Sequence, residues 1–462
     1  MQKLVSLDEK KIYQDLWRLS WPVMIFMVFQ TTLELVDLYW VGYLGTAAVA
    51  ALSMSNNLFW MLFTFSDIIT ISTLALTARH RGAGDGKSIF AVARHSFWLA
   101  TSISVAVTIL IVAFSDSFIS LYDVEPEVHE MAVLYLIVIG ISMLFAYSGM
   151  ALGAVLQGVG DTRTPMVVLV ITNVINIVLD PILIFGLAGA PELGILGAAV
   201  ATLLARVVGF FTILYIVVSG KISPSRLKIV GLFKLQFQIA YFKKIFEIGL
   251  PAFMQTLTRP LTGLVMMWLV AFFGTPAIAA FGIGQRILGL AFIFLSGLTV
   301  GTSTMIGQSL GAGLRDLTTK IIGKAMVLSL AVQTGMTALC FFGAPLIVGL
   351  FSRDPAAIEL GASFLKIISA CMILMGPFHI IDAVFKGSGY TIPSMVSALV
   401  ANWAIKLPVA YLLALPLNLG TDGIWWSVSI SVLVELLILL PWYRRGSWSR
   451  REIRISAPEP AE

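Results

Sequence analysis

The chain consists of long apolar stretches separated by short polar breaks. These stretches are rich in Leu, Ile, Val, Ala and Gly, and they lack the alternation of apolar and polar residues that a transmembrane β-strand requires. A bilayer core about 30 Å thick needs about 20 helical residues to cross it. The pattern therefore predicts an all-α membrane protein with twelve transmembrane helices, at about residues 17–43, 48–78, 90–114, 129–156, 165–187, 194–219, 246–273, 277–307, 321–350, 361–386, 393–416 and 422–442.

Composition excludes a soluble protein of several domains. Hydrophobic residues make up 58% of the 462 residues and charged residues only 12%, whereas an ordinary soluble domain has about 25% charged residues. The two cysteines, Cys340 and Cys371, lie in apolar stretches and predict neither a disulfide framework nor a metal cluster. The first apolar stretch is too long for a secretory signal, so we expect it to remain as the first span.

Lysine and arginine are concentrated on one side of the predicted membrane. Of the 30 Lys and Arg residues, 24 lie in the termini and in the loops of that side, and only Arg353 and Lys366 lie on the other. Because basic loops stay in the cytoplasm, we expect a multi-pass protein of the plasma (inner) membrane with both termini cytoplasmic. The loop at 115–128, rich in acidic residues, is then expected outside.

The second half of the chain repeats the first at a nearly constant offset, which is the separation between Pro22 and Pro251. At this offset, 158–162 also matches 387–391. Several such matches in order indicate an internal repeat. Because six spans are an even number, the repeat is parallel, with its pseudo-twofold axis along the membrane normal. The predicted domains are an amino-terminal six-helix lobe, a cytoplasmic basic linker, a carboxyl-terminal six-helix lobe and a cytoplasmic tail, at 1–220, 221–245, 246–443 and 444–462.

Four polar residues are predicted at similar depth in the amino-terminal half: Asp37, Asn176, Asp180 and Thr202. An ionisable group inside a span costs about 2.5–3.5 kcal/mol or more, so two acids there indicate a function. Two carboxylates with an amide and a hydroxyl can share a proton or bind a small hard cation such as Na⁺. The alternative is a structural hydrogen-bonded network. Pro181, next to Asp180, is expected to kink its helix at this cluster.

The carboxyl-terminal half does not repeat this cluster. At the same offset, Met266 replaces Asp37, Ile405 replaces Asn176 and Val409 replaces Asp180. The glycines are repeated and the acids are not, which suggests that the coupling chemistry resides in the amino-terminal half.

Other charges within the spans allow more than one interpretation. Asp382 can pair with Arg259 or bind a cationic substrate, and Arg206, one turn from Thr202, can reach the acidic cluster. Lys386 is predicted near a cytoplasmic helix end, where its long side chain can extend to water.

Soluble-enzyme chemistry is not indicated by the sequence. It contains no nucleotide-binding Walker motif and no arrangement of His, Ser and Cys that points to catalysis, so we expect no catalytic residues. Transport driven by an ion gradient fits these observations, with H⁺ or Na⁺ as the coupling ion and no bound cofactor.

Five segments together resemble the multidrug and toxic compound extrusion (MATE) family, closest to its DinF-like branch. They include Leu-Val-Asp at 35–37 and Asn-Ile-Val-Leu-Asp-Pro at 176–181, and the full set is 35–37, 41–45, 157–162, 176–181 and 197–202. The resemblance covers essentially the whole chain. It implies an antiporter that exports amphiphilic, often cationic, drugs or toxic compounds by alternating access.

The resemblance also implies roles for individual residues. The coupling ion is expected at Asp37, Asn176, Asp180 and Thr202, with Na⁺ as the possible metal, and the substrate cavity is expected at Gln30, Asp382 and Arg259. Two positions depart from the family pattern. Arg259 stands where the NorM-like branch has an acid, and Arg206 places a positive charge beside the cluster as a possible modulator.

Because a resident cation disfavours Na⁺ in a buried site, H⁺ is favoured over Na⁺ as the coupling ion. Expected partners are small amphiphilic substrates and membrane lipids, without nucleic acid, and the protein is expected to be a monomer. One alternative is a lipid-linked saccharide flippase of the same superfamily, which the four intramembrane Lys and Arg residues favour. The others are a membrane enzyme and a non-transporting receptor.

Overall fold

A computed structural model describes residues 8–451 and 453, except 221, 223, 226, 230, 235 and 236. Lys3, Lys221, Arg226 and Arg454, which contribute to the predicted basic side, lie outside the described residues. The described residues are almost entirely helical. The helices are α1 (Ile12–Gly42), α2 (Thr46–Phe63), α3 (Asp67–Gly82), α4 (Gly86–Ser120), α5 (Pro126–Gly158), α6 (Arg163–Phe185), α7 (Ile195–Ser219), α8 (Ile239–Ala271), α9 (Thr275–Gly311), α10 (Arg315–Gly349), α11 (Pro355–Ser388), α12 (Ile392–Leu399), α13 (Leu407–Ala414), α14 (Gly420–Arg444) and α15 (Ser447–Arg450).

The described residues form twelve membrane-length helical units, which confirms the predicted fold class. A 3₁₀ turn joins α2 to α3 in one unit, and a π-helical segment, Val400–Lys406, joins α12 to α13 in another. By length and composition, eleven units of the described chain can cross a membrane. The remaining unit is α8, whose 33 residues include four charged side chains, Lys243, Lys244, Glu247 and Arg259. Most helices extend several residues beyond the predicted spans because polar residues continue the helix past the apolar stretch.

The described helices divide into two compact units. The amino-terminal bundle comprises Pro22–Gly249, and the carboxyl-terminal bundle comprises residues 8–21 together with Leu250–Ile453. The amino-terminal bundle is built around α5, which packs against α2, α3, α4, α6 and α7. The carboxyl-terminal bundle is built around α11, which packs against α9, α10, α12 and α14. Thus α5 and α11, the fourth span of each half, occupy equivalent positions in the two bundles.

Two repeated glycines explain why the halves share one packing pattern. A Cβ atom on Gly158 would lie 2.9 Å from the carbonyl oxygen of Leu74, and one on Gly387 would overlap the backbone of Ser303. Leu74 and Ser303 are themselves equivalent positions of the repeat, separated by the same offset as the two glycines. The same close helix approach therefore occurs in each bundle, and it excludes any side chain larger than a hydrogen atom.

The segment between α7 and α8 packs onto the amino-terminal bundle. Leu227, Ile229 and Leu232 are buried in an apolar cluster with residues of α4, α5 and α7. The backbone N–H of Gln238 donates to Nε2 of His95 over 3.0 Å. The basic linker predicted at 221–245 is thus an attached segment where it is described, and its last residues, from Ile239, already belong to α8.

Candidate functional site

The predicted polar cluster forms inside the amino-terminal bundle. Asp37 comes from α1, Asn176 and Asp180 from α6, and Thr202 from α7. The last three are buried: Asp180 is 0% exposed, Asn176 1% and Thr202 6%. Asp37 is half-buried. Since α6 continues through Pro181 as one helix from Arg163 to Phe185, Asn176 and Asp180 lie one turn apart on the same face.

The Asn176 amide connects the cluster. In the orientation that satisfies its polar atoms, its nitrogen donates to Oδ1 of Asp37 over 3.2 Å. Its oxygen then accepts from the hydroxyl of Thr202 at 3.2 Å and from the backbone N–H of Thr202 at 3.1 Å. The reversed amide instead donates to Oδ1 of Asp180, at 3.3 Å, and to the Thr202 hydroxyl. We adopt the first orientation because amide orientation is assigned from hydrogen bonding, and this one pairs both ends of the amide.

The carboxyl groups of Asp37 and Asp180 are within hydrogen-bonding contact of each other. Two carboxylate anions have no hydrogen atom to donate, so a proton on one of them would make this contact a hydrogen bond. In the adopted amide orientation, the Asn176 oxygen also lies 3.3 Å from Oδ1 of Asp180. A proton on Asp180 satisfies that second contact as well. The geometry therefore fits a pair of acids that holds one proton.

The cluster also has the oxygen atoms that a small cation would need. Two carboxylates, the Asn176 carbonyl and the Thr202 hydroxyl are the hard ligands that such ions prefer. Among the described residues, no group of three or more His, Cys, Asp or Glu forms a metal site. Any cation bound here would therefore depend on the amide and hydroxyl oxygens.

Arg206 approaches the cluster without forming an ion pair to it. Its guanidinium donates to the hydroxyl of Ser142 over 2.6 Å and lies 4.7 Å from the ring centre of Phe59. It still interacts electrostatically with Asp37. Ser142 and the ring of Phe59 thus hold a positive charge near the acids without consuming their hydrogen-bonding capacity.

Three further residues of this site were not predicted from the sequence. Ser142 and Tyr135 on α5 both face the charged groups, since Tyr135 interacts electrostatically with Asp37, Asp180 and Arg206. Asn173 on α6 donates to the backbone carbonyl of Phe29 on α1 over 2.9 Å. A signal for Asn173 was present in the sequence, because Asn402 lies at the repeat offset.

Gln30 lies two turns from Asp37 on α1 and is half-buried. It is not one of the hydrogen-bonded members of the cluster just described.

In the carboxyl-terminal bundle, Asp382 pairs with Lys386 and not with Arg259. Nζ of Lys386 lies 2.7 Å from Oδ2 of Asp382, and Nε2 of Gln255 donates to Oδ1 over 3.0 Å. Lys386 lies near the helix end as expected, but its ammonium pairs with a buried acid one turn away, and its side chain is only 20% exposed. Arg259 instead lies over the ring of Phe292, at 5.6 Å.

Comparison with known proteins agrees with this architecture. The MatE family model matches the chain twice, over residues 22–182 and 251–412. The matches begin at Pro22 and Pro251, the two prolines that define the predicted offset, so they confirm the internal repeat. A probable multidrug resistance protein NorM of Thermotoga maritima is 29% identical over 445 residues, which cover 96% of this chain and 94% of that protein.

Two further similarities extend over the whole chain. The multidrug export protein MepA of Staphylococcus aureus is 25% identical over 447 residues, covering 95% of this chain and 96% of that protein. The crystal structure of a MATE protein in the bent conformation superposes with a TM-score of 0.89 at 25% identity, covering 97% of this chain and 99% of the other. With both halves matched by the family model and the fold shared from end to end, the chain belongs to the MatE family of membrane transporters and is not an enzyme.

Proposed function

We propose that this protein exports amphiphilic compounds by antiport with protons, through alternating access. The observation that carries the proposal is the contact between the carboxyl groups of Asp37 and Asp180, which a shared proton would stabilise as a hydrogen bond. The names of the relatives, a multidrug resistance protein and a multidrug export protein, support the export of drugs. The coupling ion and the direction of transport are our inference.

The acid pair offers a way to convert protonation into movement. With one proton, Asp37 on α1 and Asp180 on α6 attract each other through a hydrogen bond. Without it, two negative charges repel each other in a site whose other polar residues are buried. Loss of the proton therefore favours separation of α1 from α6, and rebinding favours the contact. Because Pro22 removes one backbone hydrogen bond from α1, this helix can bend at lower cost than an uninterrupted one.

Na⁺ is the competing coupling ion. The positive charge of Arg206 interacts with Asp37 and disfavours a second cation in the cluster, whereas a proton needs only one carboxyl oxygen. Proteoliposomes that contain the purified protein and a fluorescent amphiphilic cation can separate the two ions, with one gradient imposed at a time. We expect a pH gradient to drive substrate movement and a Na⁺ gradient at symmetrical pH to have no effect. Movement driven only by Na⁺ would refute proton coupling.

Variants of the acid pair test the same mechanism. Asp37→Asn and Asp180→Asn each keep the side-chain volume but cannot release a proton, so gradient-driven efflux should be lost while substrate binding remains. Glu127→Gln is a matched control, since this acid is exposed in the first turn of α5. If Asp180→Asn and Asp37→Asn both transport at the wild-type rate, the coupling site lies elsewhere.

The orientation of the protein also belongs to this proposal. The strong concentration of Lys and Arg on one side supports a plasma (inner) membrane protein with both termini in the cytoplasm. Export then moves substrate from the basic side to the side of the acidic segment 115–128, which contains the end of α4 and the start of α5. We expect the protein to act as a monomer within the membrane lipids.

A further inference from the structure

Two cations deep within the helices of the carboxyl-terminal bundle, Arg259 and Lys406, interact electrostatically with the same acid, Glu435. Arg259 lies twelve residues before the end of α8 at Ala271, and Lys406 lies eight residues before the end of α13 at Ala414. At about 1.5 Å per residue, these positions are about 18 and 12 Å from the helix ends. Cations at such depth are rare in membrane proteins and face either a partner or a water-filled space.

The acids of this bundle do not neutralise both cations. Asp382 is already paired with Lys386. Glu435 interacts electrostatically with Arg259 and Lys406, and its Oε1 accepts from Nδ2 of Asn402 over 2.7 Å. Within the described part of the chain, neither Arg259 nor Lys406 has a carboxylate oxygen within 4 Å. Two positive charges therefore share one negative charge, and one positive charge remains in excess.

The surroundings of Arg259 leave its donors accessible. The side chain is exposed, and its guanidinium lies 5.6 Å from the ring centre of Phe292. The ring of His379 lies 5.4 Å from Phe292, and Arg259 also interacts electrostatically with this histidine. A guanidinium held over an aromatic ring keeps its planar fork of N–H groups available. Such a fork matches the two oxygens of a carboxylate.

The second cation stands on an unusual backbone. Both Asn402 and Lys406 belong to the π-helical segment Val400–Lys406. The equivalent residues of the amino-terminal half, 171–177, lie within the regular helix α6. Short π-helical segments are rare and frequently occur at functional sites. This difference between the halves coincides with the residues that fix Glu435 and supply the second positive charge.

We propose that Arg259 and Lys406 bind the carboxylate group of an amphiphilic substrate in the carboxyl-terminal bundle. This inference rests on the proposed export function and names a substrate class for it: amphiphiles that carry a carboxylate, either alone or with a cationic group. One carboxylate neutralises the excess positive charge. The guanidinium of Arg259 supplies paired hydrogen bonds, the ammonium of Lys406 supplies a second charge, and Phe292 offers an apolar surface beside them.

Binding of a matched pair of probes tests the proposal. The probes are a dansylated long-chain amino acid and its methyl ester, titrated against the protein in phosphatidylcholine nanodiscs without any ion gradient. We expect the wild type to bind the acid about tenfold more tightly than the ester. Arg259→Gln and Lys406→Gln should each weaken binding of the acid by about tenfold and leave the ester unchanged. Equal affinity of the wild type for acid and ester would overturn the proposal.

Three further variants separate a direct charge effect from a structural one. Arg286→Gln is the matched control, since Arg286 is another cation on a membrane helix of this bundle, α9, and it should change neither affinity. Glu435→Gln removes the competing negative charge and should tighten binding of the acid. Arg259→Lys keeps the charge, so it should retain part of the preference for the acid even if Arg259→Gln does not fold. Equal weakening of acid and ester by Arg259→Gln and Lys406→Gln would refute direct contact with the carboxylate.

The outcome is independent of the coupling mechanism. If efflux fails under every gradient while the acid preference persists, the proposed export function is wrong and the binding site stands. If efflux follows the pH gradient while acid and ester bind alike, the carboxylate site is wrong and proton coupling stands.

Discussion

The buried ion pair of Asp382 and Lys386 gives a quantitative prediction. Asp382 is 2% exposed and the Lys386 side chain 20%, and their charged atoms lie 2.7 Å apart. Removing one member of a buried pair costs about 3–5 kcal/mol, because the other charge stays in the protein without its partner. Asp382→Asn leaves the ammonium of Lys386, which lies two residues from the end of α11 and can partly reach water. We therefore expect a loss of about 2–3 kcal/mol in the free energy of unfolding.

The reverse substitution should be at least as costly. Lys386→Gln leaves the carboxylate of Asp382, which is almost completely buried and keeps the hydrogen bond from Gln255 but loses its ion-pair partner. We expect a loss of about 3–4 kcal/mol for this variant. The double variant Asp382→Asn/Lys386→Gln leaves no buried charge, since two amides can hydrogen-bond in the same geometry. Its loss should be only about 1 kcal/mol, far less than the sum of the single losses.

Unfolding by sodium dodecyl sulfate in mixed micelles, followed by tryptophan fluorescence, measures all three free energies. Additive losses would show that the two side chains do not interact. Single losses below about 0.5 kcal/mol would place the pair in contact with water, because solvent-exposed ion pairs contribute no more than this. A third result would also contradict the argument. If Asp382→Asn is fully stable but binds substrate more weakly, Asp382 is a substrate ligand, as the sequence allowed.

Four further predictions follow from individual contacts. Ser142→Ala removes the acceptor of a charged donor and should destabilise the protein by about 1.5–3 kcal/mol, whereas Ser142→Thr should restore most of this loss in the same unfolding assay. Gly158→Ala and Gly387→Ala should each lower the unfolding temperature by several degrees because of the backbone contacts, whereas Gly42→Ala, with open space around the glycine, should not. A cysteine introduced at Tyr122 should react with an impermeant maleimide in intact cells; labelling only after lysis would reverse the predicted topology. Although burial raises the pKa of Asp85, the hydrogen bonds from Ser88 hold it below its usual value. Because the pKa of Asp85 is depressed in the folded protein, the stabilisation by this helix cap should be complete above a pH of about 4 and disappear as the pH falls through the folded pKa. The difference in free energy of unfolding between the wild type and Asp85→Ala should therefore vanish in acid.

The apolar pattern and the repeat predicted the architecture because both depend on the bilayer and on packing. Spans are recognisable by length and hydrophobicity, and glycines recur where helices approach closely, as Gly158 and Gly387 do. The members of the acidic cluster could be predicted for a related reason. Asp37 and Asp180 are too costly inside a membrane to lie far from a partner, so depth alone was sufficient to group them.

The partners of the remaining charges could not be predicted in the same way. Whether Arg206 donates to Asp37 or to Ser142 depends on how α5 and α7 are rotated about their axes. A helix that is apolar on every side gives no periodic signal of its rotation, and α5 is such a helix. The i,i+4 spacing of Asp382 and Lys386 permits an ion pair. The pair was not predicted because Lys386, near a helix end, was expected to extend to water. No pattern in the sequence predicted the π-helical segment at Asn402, because its geometry depends on packing in the folded bundle.

The two halves diverge in their polar residues while keeping their packing, and one pair of equivalent residues illustrates how. Asn173 and Asn402 occupy the same position of the repeat. In the amino-terminal bundle, the amide of Asn173 donates to the backbone carbonyl of Phe29 and ties α6 to α1, the helix that carries Asp37. In the carboxyl-terminal bundle, the amide of Asn402 donates to Glu435 and fixes an acid beside two cations. Since the close glycine contacts hold the helices in both bundles, their polar residues can change without loss of the fold. The proposed antiport would gain from this separation, because one bundle can be selected for the coupling ion and the other for the charge of the substrate.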